Sequence, residues 1–161
     1  MGVTDKPHEA NTRNEILSQP WCWQECFKML DEGQQLERAG KHFKEDAEYL
    51  FIGCGSSYYI SQAAAASWEM ITGTRAWAVP ASELLLFPDL VLNKSAKCQP
   101  ILVSRSGYSS EIVRAAQYLE HVRNIRTLAI SCWPPSARRR PQPWSGRLSI
   151  HCGHADPPIR R

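Results

Sequence analysis

Two short stretches hold the residue types that can grip a small anion: Gly53-Cys54-Gly55-Ser56-Ser57 and Ser104-Arg105-Ser106-Gly107-Tyr108-Ser109. Anion binding needs many hydrogen-bond donors converging on one small volume. Glycine lets backbone N–H groups approach closely, and serine adds a hydroxyl donor. A helix N-terminus adds roughly half a positive charge. The first stretch follows the apolar run Tyr49-Leu50-Phe51-Ile52 and the second follows Ile101-Leu102-Val103, and a helix-like segment follows each. A parallel α/β fold places its anion-binding loops at such positions. Gly53, Gly55, Ser56 and Ser57 would act from one loop, and Ser104, Ser106, Gly107 and Ser109 from the other. One such loop alone reads as an ordinary serine-capped turn; two together point to a ligand site. Neither is a P-loop, since Gly-Lys-Ser/Thr is missing. Neither is GxGxxG, since Gly53-Cys54-Gly55 runs on to Tyr58.

The elements that must position these loops follow from the pattern around them. Thr12-Arg13-Asn14-Glu15 reads as a capping box opening a short helix to Gln19. Pro20 then suits the first turn of a second helix, whose Trp21, Phe27 and Leu30, flanked by Trp23, form an apolar face. A mostly polar helix is expected from Glu32 to about Lys44. Strands are expected at 49–52, Ala76-Trp77-Ala78-Val79, 101–103 and Arg126-Thr127-Leu128-Ala129-Ile130-Ser131. Between them come an Ala-rich helix from Ser57 closed by Gly73, a turn of helix over Ser82–Phe87 closed by Pro88, and a helix from Ser110 to about Arg123. In the last, Ile112, Val113, Ala116, Leu119 and Val122 give the buried stripe. Asp89 to Pro100 reads as loop with a little helix. Alternating strands and helices call for a doubly wound parallel α/β sheet of about four strands, in the flavodoxin-like order 2-1-3-4. That order makes the first and third strands neighbours and turns their loops toward each other. The two loop-to-helix units, from Phe51 and from Val103, resemble one another weakly.

The remaining features bound the function. Residues 133–161 hold six of the eleven prolines and six Arg against one acid, Asp156. Their net +5 leaves −2 for the rest of a chain whose total is +3, so the body carries no basic nucleic-acid footprint. The tail's recurring Pro and sparse apolar residues predict disorder, and its abrupt onset after Cys132 looks like a reading-frame change or a truncated gene. The organisation expected is a helical lead-in over 1–46, the binding domain over 47–132, and the Pro/Arg-rich tail over 133–161. No CxxC pair occurs among the six cysteines, so they read as cytosolic thiols, and no metal or other cofactor is expected. His151, Cys152 and His154 have no ligand spacing. No apolar run is long enough for a membrane span, and no secretory signal opens the chain, which suggests a cytoplasmic protein.

The run Gly53-Cys54-Gly55-Ser56-Ser57-Tyr58, followed by Ser104-Arg105-Ser106-Gly107-Tyr108-Ser109-Ser110-Glu111, resembles the sugar isomerase (SIS) domain. Within that family it is most similar to the isomerase half of glucosamine-6-phosphate synthases and to tagatose-6-phosphate ketose/aldose isomerases. Glu15-Ile16, Gln19-Pro20-Trp21 and Val79-Pro80-Ala81-Ser82-Glu83-Leu84 fit the same group, so the resemblance covers about residues 12–132. It implies a hexose or amino-hexose phosphate as ligand. The phosphate would lie on Ser57 with Ser56 beside it, and on Ser104, Ser106 and Ser109. Arg105 joins this set; it stands where the synthases commonly have Gln, and Tyr108 where they commonly have Glu.

Aldose–ketose interconversion also needs a base that moves a proton between adjacent carbons. The resemblance implies that in full-length relatives, which carry two SIS domains, the synthases' catalytic Glu, His and Lys lie in the second half or the C-terminal tail, which this chain is expected to stop short of. Glu83 and Glu111 are the carboxylates left near the loops, and both read as structural, Glu111 in the first turn of its helix. His121 reads as lying on a solvated face. The function expected is therefore that of a sugar-phosphate-binding domain of an isomerase or glucosamine-6-phosphate synthase-like enzyme. A non-catalytic sugar-phosphate sensor, or an inactive truncated fragment, is the alternative. Surface left uncovered in a truncated domain would favour a homo-oligomer.

Overall fold

The computed structural model describes residues 7–32, 34–43, 47–92, 97–131 and 149–151. Two helices lead in, α1 (Pro7–Glu32) and α2 (Gln35–Gly40). Then come β1 (Glu48–Gly53), α3 (Ser56–Thr72), β2 (Ala76–Pro80), the short α4 (Ala81–Leu86) and α5 (Pro88–Val91), and β3 (Cys98–Val103). The helix α6 (Ser110–Gln117) runs into a π-helical turn, Tyr118–Val122, before β4 (Leu128–Ser131) and β5 (Ser149–His151). The sheet is parallel throughout, in the order β2-β1-β3-β4-β5. The expected order is thus present, with one short strand added at the β4 edge. That strand comes from the stretch read as disordered coil, where Ile150 is its single apolar residue; the rest of the tail lies outside the described residues.

Period-two alternation along β1 divides the core. Leu50 and Ile52 face one side with Leu102, Ala129, Leu84 of α4, Ile112 of α6 and Leu119 of the π-helical turn. Tyr49 and Phe51 face the other side with Ile101, Val103 and Ala65 of α3. The small alanines let α3 lie close on this face, where Trp68 stacks 4.5 Å from the Tyr49 ring and 5.0 Å from that of Phe43. The winding reverses between β1 and β3: the chain leaves β1 toward β2 through α3 on one face, and leaves β3 toward β4 through α6 on the other.

Several expected boundaries move, each for a local reason. No break occurs at Pro20: α1 is one helix from Pro7 through Glu32, already helical at Thr12, which is therefore not its N-cap. Pro20 removes one N–H from the ladder, and the turns on both sides persist, with the Ser18 hydroxyl donating to the Glu15 carbonyl at 3.0 Å. The apolar face expected on this helix is mostly uncovered, with Leu30 buried while Trp21, Trp23 and Phe27 are exposed. The next helix is shorter than expected because Gln34 turns left-handed at φ 51°. Strand β3 begins at Cys98, inside the stretch to Pro100 expected to be loop. Its pairing with β4 starts only at Ile101↔Leu128, so at Pro100 one side of the strand is unpaired and a missing donor is tolerated. Val122, expected in the buried stripe of α6, is exposed because the π-helical turn shifts the phase of the side chains that follow it.

Candidate functional site

The register Phe51↔Ile101 and Ile52↔Leu102 makes β1 and β3 neighbours, so the Gly53–Ser57 and Ser104–Ser109 loops leave the same edge of the sheet at the reversal point. Each leads into a helix, α3 beginning at Ser56 and α6 at Ser110. Open parallel sheets bind ligands at this place.

The first loop is made by its glycines. Gly53 is buried, and a Cβ there would lie 2.5 Å from backbone atoms of Ser57 and Tyr58. Gly55 takes φ 56° and ψ −128°, a conformation that residues with a Cβ avoid. The chain can therefore turn sharply from β1 into α3, where Ser57 N–H donates to the Cys54 carbonyl at 3.2 Å. Ser56 is exposed and Ser57 half-buried at the start of the helix.

In the second loop the serines themselves build the turn. Ser104 is buried, and its Oγ accepts the N–H of Gly107 at 3.0 Å; Gly107 is left-handed, with φ 69°. Ser106 Oγ accepts the N–H of Tyr108 at 3.1 Å. A hydroxyl that accepts still has its own proton to donate. Accepting an N–H thus orients each serine and leaves a donor for a ligand. Ser106 and Ser109 are half-buried, and Arg105, the one cationic side chain of the two loops, is exposed.

Two further residues reach the site. Cys54 follows Gly53 and is half-buried in the first loop. Glu111 lies in the first turn of α6, as expected; hydrogen bonds from its own backbone N–H, from the Ser110 hydroxyl and from the Cys54 thiol hold its carboxyl below the usual range. Burial, and then the Glu111 charge, push the Cys54 thiol upward. Glu83 lies in the first turn of α4, just beyond the C-terminal end of β2, and so at the same sheet edge. His121 is exposed, as expected. Cys22, Cys26, Cys54 and Cys98 are thiols, while Cys132, Cys152 and His154 lie outside the described residues. None of the described helices is long and apolar enough to cross a membrane.

Solved structures share this fold. Tagatose-6-phosphate ketose/aldose isomerase from Escherichia coli superposes with a TM-score of 0.68 at 26% identity, over 87% of this chain and 40% of that one. The C-terminal domain of glucosamine-fructose-6-phosphate aminotransferase from Francisella tularensis gives 0.68 at 18% identity, over 94% and 41%. The chain thus spans about 40% of the length of the first of these relatives. No curated protein sequence matches. A model of the SIS domain matches residues 43–140, most of the chain and both loops, and the protein belongs to the SIS domain family.

Proposed function

We propose that this domain binds a hexose or amino-hexose phosphate in the cytoplasm, as part of a ketose/aldose isomerase or a glucosamine-6-phosphate synthase-like enzyme. One observation carries the reading: two Ser/Gly loops leave neighbouring parallel strands at the point where the winding reverses, each running into a helix N-terminus. The hydroxyls of Ser56, Ser57, Ser104, Ser106 and Ser109 would surround the phosphate, with Arg105 at the rim. Gly53, Gly55 and Gly107 give the loops their shape. The E. coli isomerase at 26% identity supports a phosphosugar over other anions.

Calorimetric titration with fructose-6-phosphate and glucosamine-6-phosphate tests the reading. Saturable binding is expected, lost in a Ser57→Ala/Ser106→Ala double variant. No binding by wild type, or equal binding by the double variant, would sink it.

A further inference from the structure

We infer that the uncovered stripe of α1 is where a second copy of this chain docks, the two α1 helices lying antiparallel about a two-fold axis. Ile16, Pro20, Trp23, Phe27 and Leu30 follow one another at spacings of four, three, four and three, which lines them up along one side of the helix. Leu30 is buried, but Ile16 is 58% exposed, Trp23 63% and Phe27 72%, and Leu17 beside them is 66% exposed. At roughly 200 Å² for a residue of this size, these four leave roughly 500 Å² of apolar surface on each copy. Two such faces together would bury roughly 1,000 Å², the level that a specific interface needs.

The charges on α1 favour its own copy as the occupant. Glu15, Glu25, Lys28 and Glu32 point about 100° or more away from the stripe, so no like charges meet when two stripes face each other. Arg13 and Asp31 flank the stripe at its two ends, and both are exposed. Their separation in sequence amounts to about five full turns, so they lie on the same flank. A two-fold axis midway between them, at Cys22, sets Arg13 of each copy opposite Asp31 of the other and Leu17 opposite Phe27. The surface is thus complementary to itself, as an isologous interface requires. Antiparallel packing also brings opposite helix-dipole ends together. A bilayer fits less well, because α1 carries five acids against two bases, whereas membrane-surface helices are rich in Lys and Arg.

Sedimentation equilibrium of the full chain tests the pairing. It reads mass and needs no ligand, so the result stands apart from the sugar-phosphate reading. Wild type is expected to dimerise, and Trp23→Lys/Phe27→Lys to be monomeric while still unfolding cooperatively in urea. Asp31→Arg sets like charges opposite each other at both ends and should weaken dimerisation roughly tenfold. Arg13→Asp/Asp31→Arg exchanges the signs and should restore it; both substitutions are on exposed side chains, so this pair stays informative if the lysine variant fails to fold. A wild type that is monomeric at about 100 μM would overturn the inference, whether or not it pellets with phosphatidylglycerol vesicles. A dimer that persists in folded Trp23→Lys/Phe27→Lys would put the interface elsewhere and overturn it too. Failure of the charge exchange to restore the dimer would overturn the antiparallel pairing.

Discussion

Gly53 and Ser57 meet so closely that no side chain fits between them: a Cβ on Gly53 would stand 2.5 Å from both the carbonyl carbon and the carbonyl oxygen of Ser57. The contact exists because β1 ends at Gly53 and α3 begins at Ser56, which brings the first turn of the helix back over the end of the strand. The obstacle is backbone, so it cannot rotate aside. Gly53→Ala must push α3 outward, at a cost of about 3 kcal/mol from overpacking. Urea unfolding is expected to show that loss, and glucosamine-6-phosphate binding should weaken with it. An alanine variant as stable as wild type would refute the close approach.

Gly55 poses the opposite problem. Nothing lies within 4 Å of where its Cβ would be, yet its φ is +56°. Gly55→Ala should therefore lose about 1–3 kcal/mol from backbone strain alone. Gly40, in α2, is a control with equally open space and no positive φ. Gly40→Ala should be neutral, or stabilising by up to about 1 kcal/mol, from the better helix propensity of alanine. Chemical denaturation of the two variants side by side would distinguish strain from a generic cost of removing glycine.

The sheet could be read in the sequence because its strands are buried on both faces, which leaves continuous apolar runs such as 49–52 and 101–103. The Ser/Gly loops could be found because the glycines sit where those runs end. The features that escaped are those in which one residue's local preference is overruled. Pro100 lies inside β3 because pairing with β1 continues on the other side of the strand. Pro20 lies inside α1 because one lost bond does not end a 26-residue helix. The fifth strand carries too little apolar character to be seen, and is defined by its pairing to Ala129, Ile130 and Ser131. The influence of the Glu111 charge on the Cys54 thiol joins residues distant in sequence, and depends on β1 and β3 being adjacent. The expected order 2-1-3-4 implied only that the two segments were near each other.

Glu111 gives the acid limb of stability a specific component. Its folded-state pKa is lowered, first by its own backbone N–H and then by Ser110 and Cys54. A lowered carboxyl favours the native state above the unfolded pKa, and the advantage disappears as pH falls through the folded value. Glu111→Gln has no such component. The stability difference between wild type and Glu111→Gln should therefore be constant near neutral pH and shrink as pH drops below about 4. Cys54 acts at the opposite limit. Its raised pKa favours the native state below the ordinary thiol range, and this is lost as pH rises through the folded value. Urea titrations from acid to alkaline pH check both; a pH-independent difference for Glu111→Gln would remove the carboxylate from the account.

At the far end of the sheet, the buried Thr127 hydroxyl donates to Oε1 of the buried Glu120 at 2.6 Å. Glu120 lies in the π-helical turn after α6, and Thr127 just precedes β4. The bond therefore ties the irregular end of the helix to the strand that follows. Thr127→Val preserves shape and removes the donor to a buried charged group, at a cost of about 1–3 kcal/mol. Thr127→Ser keeps the donor and loses one methyl group, which should cost about 0.8 kcal/mol. Because this pair sits at the edge opposite both Ser/Gly loops, neither substitution should change sugar-phosphate affinity at a temperature where the variant is folded. A Thr127→Val variant that unfolds no more readily than Thr127→Ser would mean that the hydrogen bond contributes nothing beyond packing.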